Sequence, residues 1–162
     1  MNLWNYYDGD LKYPDLNSHS HEKEIAKTTP KWAFEYILKH GKDEDLEPAI
    51  AKNDGLYSYK YALYVLKGPF KLGEPAIAKN SYYSFSYAFD ILNGPFPLGE
   101  PAIAKSAYYS LVYATHVLNG PFPLGEKAIA NAKNAEYSKK YTNAVLKKDF
   151  YLDGKLICNY EE

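Results

Sequence analysis

The string Glu-Pro-Ala-Ile-Ala-Lys begins at Glu47, at Glu74 and at Glu100, and a weaker copy, Glu-Lys-Ala-Ile-Ala-Asn, begins at Glu126. The isoleucines of these copies, Ile50, Ile77, Ile103 and Ile129, lie 27, 26 and 26 residues apart, and an earlier Glu-Ile-Ala-Lys places Ile25 another 25 residues upstream. Self-similarity at a short fixed period constrains the fold more than any other feature. A unit of about 26 residues cannot bury an apolar face alone, so units must stack on one another. The 162 residues therefore predict an all-α solenoid of about five two-helix repeats over residues 22–154. An aromatic and acidic capping arm is expected over residues 1–21, and a capping tail over 155–162.

Each unit reads as a short helix, a long helix and a linker. The short helix opens at Pro48, Pro75 or Pro101 behind a Glu, because Pro is pre-organised for the first helical position. Lys52, Lys79 and Lys105 close it, where a cation complements the helix dipole. Asp54, Asn80, Ser106 and Asn134 follow as N-caps that accept from an orphan backbone N–H. A run of about a dozen residues free of Pro and Gly then ends in Val-Leu or Ile-Leu. Gly68, Gly94 and Gly120 come two positions later and are expected to take the left-handed conformation that terminates a helix, through a single-bond cap because Pro follows. The linker Pro-Phe-Pro-Leu-Gly leads on to the next Glu.

The long helices align on Tyr61, Tyr87, Tyr113 and Tyr141. At about 100° per residue, the recurring positions fall on one continuous arc. These are Tyr at −4, Ser at −3, Tyr at 0, Ala or Thr at +1, Val or Ile at +4 and Leu at +5. The arc is expected to be interior, with tyrosine rings supplying area and hydroxyls finding partners. The small Ser58, Ser84, Ser110 and Ser138 would let neighbouring helices approach closely. The changing positions −2, −1, +2 and +3 occupy the opposite arc. Positions −2 and +2 are expected to be covered, and −1 and +3 to face solvent.

The unit as a whole, from Glu-Pro-Ala-Ile-Ala-Lys through Tyr-Ser and Tyr-Ala to Val-Leu-x-Gly-Pro-Phe-Pro-Leu-Gly, resembles short tandem helical repeats of uncharacterised function encoded by tailed bacteriophages and related viruses. The likeness is close over residues 47–125 and weak over 22–46 and 126–154. It implies a viral protein acting in the cytoplasm of a bacterial host, and brings no catalytic residue or cofactor with it.

Composition excludes several classes. All nineteen basic residues are Lys against twenty acids, a net charge of −1, so the forked phosphate and guanine contacts that need guanidinium are missing and no nucleic-acid partner is expected. Cys158 has no second Cys to pair with. No apolar run approaches the ~18 residues of a membrane span, and the first residues lack the pattern of a signal peptide, so no membrane partner is expected. His19 and His21 are two apart, not the four that places two ligands on one helix face, and Asp8-Gly9-Asp10 lacks the rest of a calcium loop. Cys158 and His116 lie in distant parts of the chain, and no Gly-x-Ser-x-Gly elbow occurs. No catalytic, cofactor-binding or metal-ligating set emerges, and no cofactor is expected.

The expected function is non-enzymatic: a repeat protein whose diversified face binds another protein, through Tyr59, Leu63, Tyr64, Phe85, Phe89, Leu111, Val112 and His116. One alternative is a small-ligand or nucleotide-binding sponge with a Tyr-lined pocket between repeats. Another is a self-assembling component. Residues 1–51 carry six Lys against ten acids and residues 127–155 seven Lys against three, so acidic and basic ends could join head to tail.

Overall fold

A computed structural model of the chain describes residues 19–161. Trp4, Tyr6, Tyr7 and Tyr13 of the expected arm, and Asp8-Gly9-Asp10, lie outside the described residues. The chain divides into two compact units, Met1–Ile77 and Ala78–Glu162. The described residues are mostly helical, as the periodicity predicts, and include one small sheet.

In the first unit, α1 (His19–Ala26) packs against α2 (Pro30–His40). Thr29 caps α2 by accepting from the Trp32 N–H at 3.2 Å, and Pro30 takes the first helical position. Gly41 ends α2 at φ 96°, donating to the Ile37 carbonyl at 2.8 Å. A 3-10 turn, Glu44–Leu46, leads into α3 (Glu47–Ile50), followed by α4 (Gly55–Lys60) with its continuation Tyr61–Leu66, and then by α5 (Glu74–Ile77). The second unit repeats the alternation. It contains α6 (Ser81–Ser86) continued by Tyr87–Leu92, α7 (Glu100–Ile103), α8 (Ala107–Tyr113) continued by Ala114–Leu118, α9 (Pro123–Ala130), and α10 (Glu136–Lys140) continued by Tyr141–Leu146.

The caps follow the sequence. Asp54 accepts from the Leu56 N–H at 2.9 Å, Asn80 from those of Tyr82 and Tyr83, and Ser106 from that of Tyr109; at α10 the N-cap position falls on Ala135, and Asn134 just before it accepts from the Glu136 N–H. The short helices α3, α5 and α7 start at the Glu of each Glu-Pro. In α9, where Lys127 stands in place of that Pro, the helix begins three residues earlier at Pro123.

The long helices depart from expectation in their second halves. The segments Tyr61–Leu66, Tyr87–Leu92, Ala114–Leu118 and Tyr141–Leu146 are π turns, with bonds reaching back five residues instead of four. The left-handed residue is Lys67 (φ 51°), Asn93 (φ 49°), Asn119 (φ 50°) or Lys147 (φ 52°), one position before the expected Gly. Gly68, Gly94 and Gly120 have ordinary φ. Their N–H groups are free to add a second bond to the same cap: Lys67 and Gly68 both donate to the Ala62 carbonyl, as Asn93 and Gly94 do to Ala88. The single-bond cap is therefore corrected to a two-bond one. Asn tolerates the left-handed region at little cost, whereas Lys pays about 1 kcal/mol for it.

The tail is also more ordered than a simple cap. β1 (Phe150–Leu152) pairs antiparallel with β2 (Lys155–Cys158) across Asp153-Gly154, both at positive φ as a two-residue hairpin turn requires. The hairpin adds a sheet to the expected all-α class and starts inside the segment assigned to repeats. It rests on α9 and α10, and the Glu161 carboxylate pairs with Lys139 at 2.8 Å.

Candidate functional site

The interior face shows which recurring residues are committed to packing. Tyr61, Tyr87, Tyr113 and Tyr141 are fully buried, as are Ile50, Ile77, Ile103 and Ile129. Each tyrosine ring meets the linker phenylalanine that follows it: Tyr61 with Phe70, Tyr87 with Phe96, Tyr113 with Phe122 and Tyr141 with Phe150, at 4.9–5.4 Å between centroids. Phe150 keeps this place even though Lys148-Asp149 has replaced Gly-Pro. The Tyr113 hydroxyl donates to Glu100 Oε1 at 2.9 Å and accepts the Phe96 N–H at 2.9 Å. Tyr141 does the same with Glu126 and Phe122, and Tyr61 donates to Glu47 at 2.7 Å.

Serine at −3 works on both sides of its small side chain. Ser58, Ser110 and Ser138 are buried and donate to the carbonyls of Ile50, Ile103 and Ile129 near the ends of the preceding helices, at 3.1–3.2 Å. A Cβ at Gly73, Gly99 or Gly125 would come within 2.8 Å of the Cβ of Ser58, Ser84 or Ser110. The close approach, expected between neighbouring helices, is to the glycine that ends each linker. Thr142, standing where the other units have Ala, is buried with a hydroxyl that has no partner among the described residues.

Burial pushes the phenols of Tyr61, Tyr113 and Tyr141 well above the ordinary range; the neighbouring Glu reinforces this, and at Tyr113 and Tyr141 the backbone N–H opposes it. An unfolded tyrosine ionises near pH ~10. The folded chain holds these protons longer, so their contribution to stability is complete below that pH and is lost as pH rises beyond it. In an alkaline titration, the late fraction of tyrosinate absorbance is expected to appear together with loss of helical circular dichroism. Full tyrosine ionisation with the helices intact would refute the assignment.

The tyrosines of the predicted ligand pocket are therefore packing residues, and they line neither of the two cavities described below. The −4 tyrosines, Tyr57, Tyr83, Tyr109 and Tyr137, were expected in the core but are only half-buried.

The eight predicted partner-binding residues separate by burial. In the first unit, Tyr59 is buried and Leu63 and Tyr64 are half-buried. In the second, Leu111 is buried, Phe85 and Val112 are half-buried, and Phe89 and His116 are exposed. Tyr59 and Leu111 are thus withdrawn from any accessible surface, as expected for −2. Ser86, at a −1 position expected to face solvent, is buried.

Three of the predicted residues come together. The Phe85 ring stacks on Phe89 at 5.8 Å, and Phe89 meets the His116 ring edge-on at 6.3 Å. The row continues through residues that the wheel did not select: Tyr109 lies 5.9 Å from Phe85, and Tyr82 lies 6.1 Å from Tyr109. Tyr82 and Tyr108 are 48% and 52% exposed. Their signal in the sequence is the doubled tyrosine, Tyr82-Tyr83 and Tyr108-Tyr109, of which only the second member belongs to the recurring face. Leu72, Leu98 and Leu124 of the linkers also recur and yet are more than half exposed, so recurrence alone does not mean burial here.

Two cavities lie in the second unit. One, about 820 Å³, lies between α9 and the chain running from the last helix into the hairpin, and is lined among others by Glu126, Lys148, Asp149 and Tyr151. The other, about 350 Å³, is lined by Phe89, Asp90, Asn93, Gly94, His116, Val117 and Asn119, at one end of the aromatic row. Among the described residues no three His, Cys, Asp or Glu side chains converge to hold a metal, and no helix is long and apolar enough to cross a membrane. No family model, curated protein or solved structure matches the chain.

Proposed function

We propose that the chain is a non-enzymatic protein-binding module, that its units of about 26 residues stack as a solenoid, and that the aromatic row of its second unit receives the partner. The observation that carries this reading is the row itself: Tyr82, Tyr109, Phe85, Phe89 and His116 are in successive ring contact while Tyr82, Phe89 and His116 remain exposed. Aromatic side chains held in place by one another offer large contact area at little entropic cost, which suits binding hot spots. The scaffold beneath is fully engaged in Tyr–Phe–Glu contacts, so changes on the row need not disturb it. The resemblance to phage-encoded helical repeats makes the partner a host or virion protein and the setting the host cytoplasm.

Affinity capture from host lysate, with the wild-type chain and with Phe89→Ala/His116→Ala, tests the reading. A stoichiometric protein retained by the wild type and held about 30-fold more weakly by the double variant is the expected result. Equal retention by both chains, or none by either, refutes it.

A further inference from the structure

We infer that the cavity of about 820 Å³ in the second unit is a site for strand addition, taking an extended peptide segment of a partner protein that carries apolar and lysine side chains. Four consecutive residues line it, Lys148, Asp149, Phe150 and Tyr151. Along a strand, successive side chains point to opposite faces, and here Phe150 is buried against Tyr141 while Tyr151 is 55% exposed. Residues of both faces border one cavity where the strand presents its edge to it. No residue of β2 is in the lining, so this is the edge of β1 that β2 does not occupy. Among the described residues the sheet has two strands, and this edge has no strand beside it.

The register directs backbone groups toward the cavity. Asp153-Gly154 is a two-residue turn, so Leu152 and Lys155 beside it are a pair that exchanges hydrogen bonds. By alternation the next pair, Tyr151 and Leu156, exchanges none, and the Tyr151 N–H and carbonyl point away from β2. Groups directed in this way are a template for another strand. Lys148-Asp149-Phe150-Tyr151-Leu152 stands in register with Gly94-Pro95-Phe96-Pro97-Leu98 and Gly120-Pro121-Phe122-Pro123-Leu124, with both prolines replaced. A proline at 151 would cost the hairpin no ladder bond, but would remove the donor that faces the cavity. The hairpin alone therefore does not account for a residue with an N–H at this place.

The rest of the lining sets the side chains of the peptide. Pro121, Val145 and Leu146 supply apolar wall. Two carboxylates, Glu126 and Asp149, stand against the single ammonium of Lys148. One oxygen of each carboxylate is engaged, Glu126 Oε1 by the Tyr141 hydroxyl at 2.9 Å and Asp149 Oδ1 by the Tyr160 N–H at 2.8 Å; neither bond cancels the negative charge. The balance favours a basic peptide over an acidic one. Four residues of strand span about 13 Å, so the edge takes a segment of about that length. The intact chain is titrated with the capped peptide Ac-Thr-Val-Lys-Val-Thr-NH2, following backbone amide shifts and hydrogen exchange by NMR. Two further probes are the same peptide with glutamate for lysine, and the same side chains on a backbone N-methylated at every residue, which cannot donate to a strand.

Saturable shifts over residues 148–151 and slowed exchange of the Tyr151 amide are expected with the lysine peptide. The N-methylated peptide should bind at least about tenfold more weakly, as should the lysine peptide to Tyr151→Pro, whereas Tyr151→Val keeps the donor and should stay within about threefold of the wild type. The glutamate peptide should bind about threefold more weakly. A thermal melt checks that Tyr151→Pro is folded; if it is not, the N-methylated peptide on the wild type makes the same comparison. No saturable shift, equal binding of the N-methylated peptide, or wild-type affinity in a folded Tyr151→Pro overturns the inference, and tighter binding of the glutamate peptide overturns the assigned charge. Protection of the Tyr151 amide without peptide, lost on dilution, would make a second copy the occupant and overturn it as well. No residue of the aromatic row lines this cavity, so the failure of either reading leaves the other standing.

Discussion

Truncation of Tyr113 to alanine is expected to destabilise the chain by about 3–5 kcal/mol, the range for emptying a large aromatic site in a packed interior. The ring is fully buried and lies 5.1 Å from that of Phe122, so neighbouring groups have little room to collapse into the space. Tyr113→Phe separates the ring from its hydroxyl. That hydroxyl is the acceptor for the buried Phe96 N–H and the donor to Glu100. Without it a backbone donor is stranded in the interior, a loss of about 1–3 kcal/mol although the packing is retained. Native domains are stable by only about 5–15 kcal/mol, so the alanine variant removes much of the total. Urea unfolding followed by circular dichroism measures both effects, as a lower midpoint at unchanged slope. A phenylalanine variant as stable as the wild type would mean that the hydroxyl is not what satisfies Phe96.

Two glycines five residues apart should respond in opposite directions to the same substitution. A Cβ on Gly99 would clash with the Phe96 ring and sit 2.7 Å from the Ser84 Cβ. Both neighbours are buried, so Gly99→Ala should cost about 1–3 kcal/mol through overpacking. A Cβ on Gly94 meets only the Leu92 carbonyl oxygen at 3.8 Å, at a negative φ. Gly94→Ala should therefore be neutral or stabilise by up to about 1 kcal/mol, by restricting the unfolded chain. Thermal melts of the two variants give the comparison, and Ser84→Gly should recover part of the loss in Gly99→Ala. A larger loss at Gly94 than at Gly99 would contradict the assigned roles of the two glycines.

The local rules were legible where each depends on a few adjacent residues. Asp54, Asn80 and Ser106 cap as their side chains dictate, and Pro48, Pro75 and Pro101 stand at the starts of short helices. Recurrence of Tyr and Ser correctly located the innermost positions. It failed at the −4 tyrosines and at Leu72, Leu98 and Leu124, because repetition records that an environment recurs and not how much water it excludes. The hairpin was readable in Asp153-Gly154 but is masked by the helical pattern that precedes it. The π turns have no short sequence signal, since their extra residue is accommodated by hydrogen bonds and packing together.

At the candidate site, Phe85, Phe89 and His116 were reachable from helical spacing. Tyr82 and Tyr109 join them only through ring contacts between different helices. Asp90, Asn93 and Asn119 enter because two helix ends meet, which no single repeat contains. The amino-acid sequence by itself determined the period, the helical class, the caps and the buried Tyr–Ser face, all of which follow from local backbone preferences and from 3.6-residue geometry. The tertiary structure alone decided which glycine is crowded and which aromatic rings touch, since each depends on distances between segments far apart in the chain.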